Sequence, residues 1–112
     1  MTTDDGASAL VFASDDRLSL LRPAHVVYVD ATFRVVPSLY HQLFTIFVPH
    51  AEYAFPACFA LMTTKTTGLY EAVLRKINTM ESRFQPTKVI ADFEVAPAAA
   101  MRNVYGDQLI VS

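Results

Sequence analysis

The sequence predicts a mixed α/β fold, one mixed sheet with helices packed on it. Three observations lead there. Three runs of β-branched and aromatic residues follow one another between residues 25 and 63, separated only by turn chemistry. Over 66–80 the apolar spacing changes from strand-like to helical. Beyond that, short strand and helix patterns alternate up to Val111, giving the order β-β-β-α-β-α-β.

The elements follow in chain order. Residues 1–8 are polar and acidic and are expected to be a disordered terminus, with 9–112 forming one domain. Ala9–Ala13 is a short apolar run and a strand candidate. Ser14-Asp15-Asp16 offers N-cap chemistry for a short helix over Arg17–Leu21, and Pro23 stops it. His25–Asp30 (HVVYVD) reads as a buried strand, which Thr32–Val36 would continue after a slight break, before a turn at Pro37-Ser38. Tyr40–Val48 is a second strand, and Tyr53–Thr63 a third. Pro56 inside the third asks for an edge position or a bulge. Leu69, Val73, Ile77 and Met80 form one helical stripe with Tyr70 and Leu74 beside it, so a helix is predicted over about 66–80. Lys88–Asp92 (KVIAD) is the fourth strand. A second helix begins near Glu94–Ala96, with Pro97 in its first turn and Gly106 just past its end. Gln108–Val111 starts a fifth strand. This order fits a ribonuclease H-like arrangement, with the three sequential strands antiparallel and the fourth parallel beside the first.

Composition narrows the function. Of 112 residues, 53% are apolar and 18% charged, which excludes a disordered chain. A net charge of −2 excludes a polybasic nucleic-acid tail, so any nucleic-acid contact must come from local charges or a metal. The single Cys58 excludes a disulfide framework and a multi-thiolate zinc site. No apolar run reaches the roughly 18–20 residues of a membrane helix. The N-terminus resembles neither a signal nor a transit peptide.

Two carboxylates carry the chemistry. Asp30 ends the first long strand and Asp92 the fourth. If those strands are parallel neighbours, their ends lie about 5 Å apart, and both side chains face the crevice where open α/β sheets bind ligands. Two such carboxylates repel unless a cation sits between them. Oxygen ligands suit Mg²⁺ or Mn²⁺, which can activate an attacking oxygen in phosphoryl transfer. The plainer alternative is that both are turn or cap residues, with Asp92 ordering the turn before the second helix.

Val29-Asp30-Ala31-Thr32-Phe33 resembles the D-G/A-T-F segment of Mutator-like element (MULE) transposases. Tyr40-His-Gln-Leu-Phe44, Phe55-Pro56, Leu61-Met62-Thr-Thr-Lys65, Tyr70-Glu71-Ala-Val-Leu74 and Ala91-Asp92-Phe93-Glu94 follow in that domain's order. The resemblance covers about 9–112. It implies a DDE-type catalytic domain of ribonuclease H-like fold, which uses three acidic residues and two divalent metals, Mg²⁺ or Mn²⁺, to cut and join DNA. Asp30 matches the first acid and Asp92 the second, as catalytic and metal-binding residues. The third acid of the family lies further downstream, beyond a Cys/His pair, and neither occurs before Ser112. The expectation is therefore a fragment of a DDE transposase catalytic domain, incomplete at its C-terminus and inactive alone. The alternative is a domesticated or degenerate module without catalysis. The resemblance also implies DNA (transposon ends) as partner, nuclear residence and the company of FLYWCH-type zinc fingers.

Other residues have simpler readings. Glu71 is an i,i+4 partner for Arg75 rather than a metal ligand, and Glu94 is a helix N-terminal charge. His25, His41 and His50 lack metal-ligand spacing. Cys58 reads as a small core residue, and Phe44, Phe47, Phe55 and Phe59 as core rather than a base-stacking platform. Arg34, Lys65, Arg75, Lys76, Arg83 and Lys88 form no dense run. Gln108–Ser112, an exposed apolar edge strand, is expected to let the chain associate with its own copies.

Overall fold

A computed structural model describes residues 1–32, 39–91 and 95–112. Its described elements are β1 (Ala9–Phe12), α1 (Asp15–Leu18), β2 (Val26–Thr32), β3 (Gln42–His50), β4 (Tyr53–Met62), α2 (Thr67–Met80), β5 (Lys88–Ala91), α3 (Val95–Tyr105) and β6 (Ile110–Val111). They make a mixed α/β fold with one sheet in the order β1-β4-β3-β2-β5-β6. β2, β3, β4 and β1 pair antiparallel, while β5 runs parallel to β2 and β6 parallel to β5. The expected mixed pairing is present, with β1 added at the far edge and α1 after it.

Local chemistry sets the boundaries. Ser14 caps α1, its side-chain oxygen accepting from the Arg17 N–H, and Thr66 caps α2 in the same way through the Leu69 N–H. Gly106 ends α3 at φ 109, a left-handed conformation natural to glycine, and its N–H donates to the Arg102 carbonyl at 2.8 Å. Pro56 sits where the β3–β4 register shifts beside Ile46/Phe47 and where β1 no longer pairs with β4, so its missing N–H costs no ladder bond. In residues 1–8, where fraying is the sequence expectation, Thr2 bridges Ser8 and Ala7 is buried. The expected continuation at Thr32–Val36 and the Pro37-Ser38 turn fall largely or wholly outside the described residues.

The core lies on one side of the sheet. Val27 and Val29 of β2, Phe44 and Ile46 of β3, and Cys58, Ala60 and Met62 of β4 are buried together with Leu69, Tyr70, Val73, Leu74 and Ile77 of α2. Ala100, Met101 and Tyr105 of α3 and Leu18 of α1 join the same cluster. Phe44 meets the Tyr70 ring edge-on at 5.1 Å, and Tyr105 ties α3 to α2 by donating to Asn78 Oδ1 at 2.9 Å. Strand side chains alternate between faces, so Leu10, Phe12, Tyr28, Asp30, Leu43, Thr45, Phe47, Phe59 and Leu61 occupy the other face. No described helix covers it: Leu10 is 52% exposed and Phe12 42%. This corrects the expectation for the aromatic series. Phe44 is core, Phe47 and Phe59 are part-exposed on the open face, and Phe55 is exposed at the end of the β3–β4 hairpin.

Candidate functional site

β2 positions the first candidate. Its alternation of buried Val27 and Val29 with exposed Tyr28 and Asp30 turns the Asp30 carboxylate to the open face. The strand runs two residues beyond Asp30 and stays paired with β3 through Ala31 and Thr32. Asp30 thus sits inside the β2–β3 ladder, although the described parallel pairing with β5 ends one residue earlier, at Val29 and Ala91. Thr45 of β3 stands directly opposite Asp30. The carboxylate has no hydrogen-bond or ion-pair partner among the described residues.

Asp92 follows Ala91 in the chain and lies outside the described residues, as do Glu94, Phe33 and Arg34. What the structure supplies is the frame before it: β5 lies beside β2, parallel, with Ala91 level with Val29. Among the described residues, no three His, Cys, Asp or Glu side chains converge on one point.

The remaining candidates stand apart from Asp30. Glu71 belongs to the helix layer, across the sheet from the Asp30 side chain, and faces Arg75 at 4.0 Å. His25, His41 and His50 are exposed and share no site. Cys58 is buried in β4, and desolvation pushes its thiol up to about 11, so it is a neutral core group at neutral pH. Glu81, which sequence reasoning passed over, is a buried carboxylate ion-paired with Arg22. The Arg22 guanidinium that hydrogen-bonds it holds its carboxyl below the ordinary range. Its job is structural, joining the end of α2 to the segment before β2.

The family model of the MULE transposase domain matches residues 26–109, three quarters of the chain. The chain belongs to the MULE transposase domain family. The matched segment begins at the first residue of β2 and holds β2, β3, β4, α2, β5 and α3, while β1 and α1 lie before it. Asp30 and Asp92 both fall inside the MULE match. No curated protein matches the chain by sequence. No helix among the described residues is long and apolar enough to cross a membrane.

Proposed function

We propose that this MULE domain contributes Asp30 and Asp92 to a DDE-type site that holds Mg²⁺ or Mn²⁺ and, in the complete protein, cuts and joins DNA strands. The observation that carries the reading is the parallel β2–β5 pair, in which the last described partners, Val29 and Ala91, are each followed in the chain by an aspartate. Asp30 fits such an ion. Its carboxylate is a hard oxygen donor, exposed, on the open face, with no competing cation bound to it among the described residues. Asp30 and Asp92 would bind the ion and fix its place at the edge of the open face. When bound, the ion supplies charge to lower the barrier of phosphoryl transfer. DNA would approach from that same face, since the helix layer closes the other. Nuclear residence and a FLYWCH-type companion domain belong to the same proposal.

Iron-directed backbone cleavage tests this reading. Fe²⁺ substituted for Mg²⁺ and reacted with ascorbate and peroxide cuts the chain beside its ligands. The expected cuts flank residues 30 and 92, are suppressed by excess Mg²⁺, and disappear in Asp30→Asn. Cuts elsewhere, or cuts unaffected by Asp30→Asn, contradict it.

A further inference from the structure

Thr45 occupies an unusual place on the open face. It is 6% exposed, while its neighbours on that face, Leu43 and Phe47 along β3 and Phe59 across on β4, are part-exposed. Its hydroxyl has no hydrogen-bond partner among the described residues. A hydroxyl without a protein partner is available to donate to an acceptor within reach.

The acceptor stands opposite. Asp30 is the direct cross-strand partner of Thr45 in the antiparallel β2–β3 pair. Directly opposed residues share a face, with Cβ atoms about 4.5–5.5 Å apart. Rotation about χ1 of the two side chains brings a threonine hydroxyl within reach of an aspartate oxygen across such a gap. The donor therefore lacks an acceptor, and the neighbouring acceptor lacks a donor. Other described hydroxyls on the face are further away. Tyr28 and Thr32 are each two residues along the same strand, roughly 6–7 Å from Asp30.

We propose that Thr45 is the positioning residue of the site: Oγ1–H donates to one carboxylate oxygen of Asp30 and leaves the second oxygen to face a cation. The use of that second oxygen rests on the metal reading above, whereas the Thr45–Asp30 bond does not. A hydrogen bond to a ligating carboxylate restricts its rotation, and groups that hold metal ligands in this way strengthen metal binding. Threonine in a strand is otherwise a matter of shape, which valine reproduces, so the hydroxyl can be tested separately from the packing.

The experiment uses the whole chain with Thr45→Val, Thr45→Ser, Asp30→Asn and the Thr45→Val/Asp30→Asn double variant. In metal-free protein, the Asp30 side-chain ¹³C carboxyl resonance is expected to move in Thr45→Val and to stay in place in Thr45→Ser. Mn²⁺ binding, read by electron paramagnetic resonance, is expected to weaken about tenfold in Thr45→Val and to recover in Thr45→Ser. Thr45→Val is expected to add nothing once Asp30 is Asn. An Asp30 resonance indifferent to Thr45→Val overturns the proposal, whatever the metal does. A resonance that moves while Asp30→Asn leaves Mn²⁺ binding unchanged upholds the Thr45 contact and removes the metal reading instead. If Thr45→Val does not fold, Thr45→Ala takes its place with the same two readouts.

Discussion

Glu81 and Cys58 show how burial and partners set the behaviour of single residues. The Glu81 carboxyl is depressed chiefly by its hydrogen bond from Arg22, against the opposing effect of desolvation. A group whose pKa falls on folding stabilises the fold at pH above its unfolded value and loses that contribution as pH drops through the folded value. Glu81→Gln should therefore lower the urea midpoint near neutral pH, and the two midpoints should converge in acid, where Glu81 is protonated. Parallel midpoints across that range would show that the ion pair contributes nothing. Cys58 gives a second expectation. With its thiol pushed up to about 11 and its side chain in the core, it should react with maleimide only as fast as the protein opens. Rapid labelling of the native chain would contradict the burial. Cys58 was legible because a lone cysteine within an apolar run is usually core. The Arg22–Glu81 pair was not, because 59 residues separate the partners and only the fold brings them together.

At the scale of the element, α2 is the part the sequence announces best. Leu69, Tyr70, Val73, Leu74 and Ile77 recur at helical spacing, and all five are buried against β3, β4 and α3. Leu74→Ala should cost about 2–5 kcal/mol by emptying a core position, and Thr66→Ala about 1 kcal/mol by removing the cap. Equilibrium unfolding in urea measures both. A Leu74→Ala cost close to that of a surface substitution would mean that the helix does not pack as described. The short edges are less legible. β1 and α1 have four residues each, too few for a periodic pattern to separate from chance; β1 is held by pairing with β4, and α1 by its Ser14 cap and its packing beside β4. The sequence places a strand end at Asp30 because Ala31 and Thr32 carry a weaker strand signal than HVVYV. The ladder to β3 extends the strand past it.

Across the whole molecule, the arrangement is one-sided. The helices close one face of the sheet, and the other presents Leu10, Phe12, Tyr28, Phe47, Phe59 and Leu61 without cover among the described residues. The edge strand β6 adds Ile110, 59% exposed. Apolar surface of this extent and an open edge both favour association. The chain should self-associate in a concentration-dependent way, and Leu10→Lys with Phe12→Lys should shift it toward monomer in sedimentation velocity. A monomer at all concentrations would contradict this. In the sequence HVVYVD reads as a buried strand, and the alternation of buried Val27 and Val29 with exposed Tyr28 and Asp30 emerges in the fold. Which face the helices choose is decided by long-range packing, so the orientation of Asp30 away from α2 and Glu71 emerges only from the fold.

Mn²⁺ titration of the chain reads out whether Asp30 and Asp92 together hold a divalent cation, as proposed. Two carboxylates supply few ligands, and a hard ion then keeps several waters, so binding should be weak. Asp30→Asn and Asp92→Asn should each weaken it at least about tenfold, with little further loss when combined, because the two oxygens serve one ion. Mn²⁺ binding that survives the double substitution unchanged would show that the two aspartates do not hold the ion.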